Sequence, residues 1–240
     1  MKKINWINIR LLLIMALMIF MYSFSGIKNK NREVQKIKIV FNANDYPFLN
    51  EKIVNNLLIQ NFESTSKLTK DKLDLNTLEN LLNTNKYVDN SEVFCSIDGQ
   101  LTATIKQKKP VIRVINEAGS YYLDSKGAKI PLSENFTPRV PIFYGKIEAN
   151  EQEPLTRLFD YIEKDEVLKH SIIDLKKTQK KNIIFSVRDY DYKVIFGNES
   201  NIEKKFKNYE AFLQFAAKSE KIKSYKTINL IFTDQVVCTK

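Results

Sequence analysis

The sequence predicts an α+β protein in three parts: one apolar N-terminal helix, a first domain ordered β-α-α-β-β, and a larger β-rich domain with two helices. Three observations predict it. Residues 11–27 carry no charged side chain. Helical and strand periodicities then follow one another in that order, and a proline-containing stretch at residues 106–110 breaks the strand pattern. The predicted boundaries are a tail at 1–10, a transmembrane helix at 11–27, a first domain at 28–106 and a second at 107–240.

The composition excludes several classes of protein. The 240 residues include only two cysteines and one histidine, too few for a disulfide framework or a four-ligand structural zinc site. The formal net charge is +10. A basic balance of this size favours an anionic neighbour, such as nucleic acid, anionic lipid or a cell-wall polymer.

The N-terminal apolar run is at the short end of the roughly 17–25 residues that cross a bilayer. Three basic residues precede it: Lys2, Lys3 and Arg10. Basic residues precede the apolar segment of an uncleaved anchor and of a signal peptide alike. The expected anchor residues are Leu11, Leu12, Leu13, Ile14, Met15, Ala16, Leu17, Met18, Ile19 and Phe20.

Two interpretations of this run stay open. In the first, the helix is an uncleaved anchor with its N-terminus in the cytoplasm. In the second, the small residues of the segment Ser23-Phe24-Ser25-Gly26 lie near a signal-peptide cleavage site. Lysines and an arginine also follow the run, so the positive-inside rule does not separate the two. Both interpretations place residues 28–240 outside the cytoplasm.

The first domain is predicted from alternation and capping signals. Residues 33–41 alternate as a strand. Asn50 and Asp74 are expected to cap two helices with apolar residues at helical spacing. Two further strands meet at Asp98-Gly99, a pair that favours a type I′ hairpin turn.

The second domain is predicted to be mostly strand. Short strands are expected at 111–115, 120–124 and 140–144, and later at 182–188, 192–196 and 225–232. Pro154 is expected to begin one helix, and the segment Ser200-Asn201-Ile202-Glu203 has the capping-box spacing for a second.

No catalytic motif is present. The sequence has no phosphate-binding GxxxxGK[ST] or GxGxxG pattern and no GxSxG elbow. His170 is interpreted as an ordinary polar residue, and the cluster Asp160, Glu163, Asp165 and Glu166 as a solvated face. No enzyme activity, metal or cofactor is expected.

The cysteines and the lysines have equally plain interpretations. Cys95 and Cys238 are interpreted as small unpaired residues. The lysines are dispersed along the chain without a recognition motif, so no nucleic acid partner is expected. No small-molecule substrate is expected either.

One segment suggests binding. The strand at 225–232 is near the chain end, and an edge strand there would offer unpaired main-chain groups to a strand of another protein. An interior strand is an equally open interpretation. If the strand is an edge, one of Asn229 and Leu230 should face its free side, and proline at that position is expected to remove a donor and weaken partner binding while the domain stays folded.

The order of these elements resembles that of bacterial cell-division proteins of the FtsQ/DivIB type, and the first domain resembles a POTRA domain. The resemblance is carried by residues 34–41, 75–88 and 93–105, by QKKPVIR at 107–113, by YYLDSKGAKIPL at 121–132 and by INLIFTDQVVCTK at 228–240. The YYLD-x-x-G-x-x-x-PL run is similar to the Bacteroidetes form of the family.

The resemblance implies a non-catalytic, single-pass inner-membrane scaffold of the division septum, with a cytoplasmic N-terminus and a periplasmic body. It implies that small bitopic coiled-coil partners, FtsB and FtsL, bind it, and that the POTRA-like domain helps recruitment. The alternative is a POTRA-bearing envelope assembly or chaperone-like protein. By position, the implied FtsB-docking edge is Tyr225, Lys226, Thr227, Ile228, Asn229, Leu230, Ile231 and Phe232, continued by Val236 and Val237.

Overall fold

The computed structural model describes residues 6–30, 33–34, 36–43, 46–60, 73–218 and 222–240. It confirms the predicted α+β class. The chain forms two compact units. The first unit contains Met1–Asp45 and Leu49–Gln107, and the second contains Tyr46–Phe48 and Lys108–Lys240.

Helix α1, Trp6–Lys30, contains every predicted anchor residue. Its segment Ile9–Asn29 is long and apolar enough to cross a membrane and is not buried within the protein. Exposing so many leucine, isoleucine, methionine and phenylalanine side chains to water is energetically unfavourable, whereas exposing them to lipid is favourable. A signal sequence near an N-terminus has the same length and composition, so the helix alone does not separate the two interpretations.

The first unit packs two helices on one face of a small sheet. Strand β1, Lys36–Phe41, is parallel to β3, Gln100–Gln107, which is antiparallel to β2, Val88–Cys95. Helices α2, Glu51–Gln60, and α3, Leu75–Asn83, supply the other half of the core. The fully buried members of that core include Val54, Leu58, Leu82, Leu101, Ala103 and Ile105.

Both predicted helix caps of the first unit form. The Asn50 side-chain oxygen accepts a hydrogen bond from the Ile53 amide at 2.9 Å. The Asp74 carboxylate accepts from the Thr77 amide at 3.1 Å, and hydrogen bonding to Thr77 lowers the pKa of Asp74 below its usual value. Each cap satisfies a donor that the first helical turn leaves without an intrahelical partner.

The predicted type I′ turn between β2 and β3 is wrong. That turn needs positive φ at both central residues, but Gly99, with φ +86°, is the only residue of the loop that has it. The Gly99 amide instead donates to the Ser96 carbonyl at 3.2 Å. The hairpin is therefore closed by a longer loop with glycine at its left-handed position.

The second unit is one mixed sheet. Its strands are β4 Pro110–Asn116, β5 Gly119–Asp124, β6 Lys129–Ile130, β7 Ile142–Tyr144, β8 Ile172–Lys177, β9 Ile183–Val187, β10 Lys193–Gly197, β11 Thr227–Asn229 and β12 Val237–Thr239. In the described part of the chain their order across the sheet is β12-β11-β10-β9-β8-β7-β4-β5-β6.

Two long helices cover one face of this sheet. They are α4, Gln152–Lys164, and α6, Ile202–Lys218; the short α5, Glu166–Ser171, lies between α4 and β8. Aromatic side chains fill the layer beneath α6: Phe185 has its ring 5.6 Å from Tyr209 and 6.1 Å from Phe206. This aromatic layer packs α6 against the sheet, where Phe185 of β9 contacts Phe206 and Tyr209.

The predicted solvated face at Asp160–Glu166 is partly wrong. Glu163 is buried, and its Oε1 lies 2.8 Å from the ammonium groups of both Lys109 and Lys169. Asp165 caps α5 by accepting the amides of Val167 and Leu168. The capping box predicted at Ser200 also does not form, because its hydroxyl donates to the Asn198 side chain.

Candidate partner-binding edge

Strand β12 is at the end of the large sheet, and β11 is not. The long edge strand predicted at residues 225–232 is reduced to β11, which pairs with β10 on one side and β12 on the other. The edge therefore lies one strand further along the chain than expected. Of the predicted docking residues, Val237 lies in β12 and Val236 directly precedes it.

Strand β11 ends at Asn229 for local reasons. The Asn229 side-chain oxygen accepts the Ile231 amide at 2.9 Å, which turns the chain away. The Leu230 amide donates to the Ile195 carbonyl at 2.8 Å, and its side chain is buried. Proline at Leu230 would thus break an internal bond, so the predicted test at Asn229 or Leu230 does not probe a free edge.

The two faces of β12 differ. Cys238 pairs with Ile228 and shares its orientation toward the helices, whereas Val237 and Thr239 pair with Asn229 and Thr227 on the opposite face. Val237 is 39% exposed. Within the described sheet β12 has β11 as its one neighbour. The main-chain N–H and C=O groups of alternate residues in this three-residue strand therefore point to its free side.

A groove runs between β12 and α6. It has a volume of about 510 Å³, and its apolar lining comes from Phe212, Phe215, Tyr225, Val236 and Cys238. Phe215 is 67% exposed. Burial raises the pKa of the Cys238 thiol, which keeps it protonated and apolar near neutral pH. A side chain that enters from beside β12 would meet a hydrophobic wall.

Two contacts hold the loop between β11 and β12 against α6. Lys204 Nζ lies 2.7 Å from Asp234 Oδ1, and this hydrogen bond lowers the pKa of the Asp234 carboxyl. Asn208 Nδ2 donates to the Thr233 carbonyl at 2.9 Å. The Asn208 bond is the firmer of the two, because the ion pair is exposed and screened by salt.

The start of the edge region carries positive charge. Lys223 and Lys226 are exposed, and the Lys226 amide donates to the Thr239 carbonyl at 2.8 Å. Exposed lysines beside an edge strand disfavour uncontrolled pairing between copies of the same chain. An edge of this kind is open chiefly to a partner that tolerates or complements the charge.

The remaining chemistry-bearing residues do not converge. No group of three His, Cys, Asp or Glu is placed to hold a metal ion among the residues that the structure describes. His170 is exposed, with Nδ1 2.7 Å from the Glu166 carbonyl oxygen. Cys95 and Cys238 are free thiols in different units.

The comparison with known protein families defines the class. Residues 109–239 match the family described as FtsQ/DivIB, C-terminal related. This match covers more than half of the chain, and it includes the whole sheet with its β12 edge. No individual curated protein matches the chain.

The protein therefore belongs to the FtsQ/DivIB-related family, as the sequence resemblance indicated. Membership indicates a role in cell division. The family is one of non-catalytic division scaffolds. The apolar α1 and the family together point to a single-pass membrane protein.

Proposed function

We propose that the protein is a non-catalytic scaffold of the division septum, anchored in the inner membrane by α1 with its N-terminus in the cytoplasm and its two units in the periplasm. It binds small bitopic coiled-coil partners of the FtsB and FtsL type. The binding site is the free side of β12, where a partner segment adds as a further strand. The observation that carries the docking proposal is the position of β12 at the end of the described sheet.

In strand addition, the affinity for the partner and the selectivity among partners come from different features of the site. Main-chain hydrogen bonds along β12 supply affinity without requiring particular side chains. The groove beside Cys238 and Phe215 supplies selectivity, since alternate residues of an added strand point toward α6. An apolar partner side chain that points into this groove would bury apolar surface of the partner and of the groove.

The family match favours this role over the alternative of an envelope assembly or chaperone-like protein. The match lies on the second unit, which contains the β12 edge. The assignment of the first unit to the POTRA class, and its part in recruitment, belong to the proposal.

Photo-crosslinking in growing cells tests the docking site. A photoreactive residue at Val237 on β12 is compared with one at Lys129 on β6, which ends the opposite edge of the same sheet. We expect position 237 to crosslink to a small bitopic coiled-coil protein and position 129 not to do so. Equal crosslinking at both positions, or none at 237, would contradict docking at β12.

A further inference from the structure

The loop that joins β2 and β3 carries a large apolar side chain that is almost fully exposed. Ile97 is 77% exposed, the highest value for a large hydrophobic side chain outside α1 in the described chain, and nearby Phe94 is 51% exposed. The neighbours of Ile97 in the loop, Ser96 and Asp98, are polar. Solvent-exposed turns usually contain Gly, Pro, Asn, Asp or Ser, so a large apolar side chain here is not explained by the turn itself.

The same tip lies beside the end of α1. Ile97 and seven residues of α1 between Tyr22 and Asn29 line one surface cavity of about 650 Å³. At 1.5 Å per residue, this stretch of helix covers about 10 Å of height. It is also the end of the apolar span Ile9–Asn29. With Ile9–Asn29 as the membrane span, Ile97 lies beside the end of that span, near the level where it leaves the hydrocarbon.

The surroundings have the composition of a membrane interface. Tyr22 of α1 is 85% exposed, and aromatic residues of this kind collect at headgroup depth. Phe94 is in register with Thr102 and Lys38 on the sheet face that the helices leave open. Exposed Lys36 lies two residues before Lys38 on the same face of β1, and such lysines are attracted to anionic headgroups.

We propose that the β2–β3 tip is a second membrane contact, in which Ile97 inserts into the headgroup–acyl boundary of the bilayer beside α1. The proposal rests on α1 being the membrane anchor of the proposed function. A second contact would hold the first unit at a fixed height and rotation above the bilayer. The lipid chemistry that fits is an anionic headgroup surface.

Lipid quenching of a single tryptophan tests this contact in the full-length chain. The one native tryptophan is removed by Trp6→Phe, and Ile97→Trp is introduced as the tip probe. The protein is reconstituted in vesicles of phosphatidylethanolamine and phosphatidylglycerol with brominated acyl chains. Phe20→Trp on α1 is the anchor probe, and Ile59→Trp on α2, half exposed in the same unit, is the matched control.

We expect bromolipid to quench the tryptophan fluorescence of the tip probe about as much as that of the anchor probe. The fluorescence of the control should stay unquenched. If the anchor probe is quenched and the tip probe is not, the second contact is overturned and the anchor stands. If the tip probe and the control are quenched alike, the whole unit lies on lipid, which overturns a contact specific to the tip. If the anchor probe is not quenched, the anchor and the tip contact both fail.

Discussion

Cys238 on β12 lies opposite Ile228 on β11, and this pairing places β11 inside the sheet. Ile228 is fully buried, whereas Cys238 is half buried beside the groove of α6. The last three-residue strand therefore has two roles. It completes the core over Ile228, and it is the strand on which a partner would add.

Proline replacements in β12 separate these two roles. Successive amides of a strand point to opposite edges, so of Val237→Pro and Cys238→Pro one removes a free-edge donor and the other breaks a bond to β11. We expect one variant to lose partner binding at an unchanged melting temperature. The other should lose about 1–3 kcal/mol of unfolding free energy. If both variants fold and bind as the wild type does, strand addition at β12 is wrong.

Gly197 at the end of β10 should be intolerant of alanine. It has φ +82°, and an added Cβ would lie 2.9 Å from Ile231 Cγ1, where β11 turns away. Gly119→Ala is the matched control, because Gly119 also has positive φ but open space around it. We expect Gly119→Ala to cost about 1–3 kcal/mol through backbone strain alone, and Gly197→Ala to cost more because the clash with Ile231 adds to the strain. Equal losses in chemical denaturation would refute the steric account.

Glu163 should contribute more to the unfolding free energy than an ordinary surface carboxylate does. Its side chain is 7% exposed and contacts Lys109 and Lys169, while Glu153 on the same helix is 84% exposed beside Arg157. We expect Glu163→Gln to lower the unfolding free energy by about 1–3 kcal/mol. Glu153→Gln should change it by about 0.5 kcal/mol or less.

The pH dependence of the Glu163 variant gives a second readout. The hydrogen bond to Glu163 raises the pKa of Lys169 in the folded protein. A raised lysine pKa adds stability below the unfolded value of about 10.4, which is lost as the pH rises through the folded value. Stability that declines with the same slope in wild type and Glu163→Gln above that pH would argue against this pair.

The buried tyrosine pair should show strong coupling. The hydroxyl groups of Tyr192 and Tyr209 are 2.9 Å apart inside the core. Each single Tyr→Phe change leaves the other hydroxyl unsatisfied, at a cost of about 1–3 kcal/mol. We expect the double variant to cost less than the sum of the singles in a double-mutant cycle. Additive losses would mean that the two hydroxyl groups are not energetically coupled.

Much of the first unit could be predicted from the sequence because its signals are local. Asn50 and Asp74 each act within one helical turn, so their capping follows from their chemistry alone. The turn at Gly99 is predicted in the right place but with the wrong geometry. Asp-Gly reports a bend, whereas the loop length depends on where the strand pairing stops.

The edge of the second unit could not be predicted because it depends on distant pairing. Whether β11 is interior is decided by β10 and β12, which lie about thirty residues upstream and ten downstream. Periodicity reports the apolar residues Ile228 and Leu230 but not which strands flank them. The pattern Val236 to Thr239 after the Asp234 turn was the available signal for β12.

Glu163 shows the same limit for charged residues. Helical spacing places it on α4 beside other acids, which favours a solvated face. Its burial results from Lys109 and Lys169, which the fold brings to it from other elements. A short polar segment gives no sign of partners that are remote in sequence.

Imaging of the full-length chain in living cells tests the central claim most directly. A fluorescent protein that matures only in the cytoplasm is fused to Met1. The proposed anchored division scaffold predicts a fluorescent band at midcell, with the body of the protein retained in the membrane. Uniform envelope fluorescence, or fluorescence separated from a released body, would contradict it.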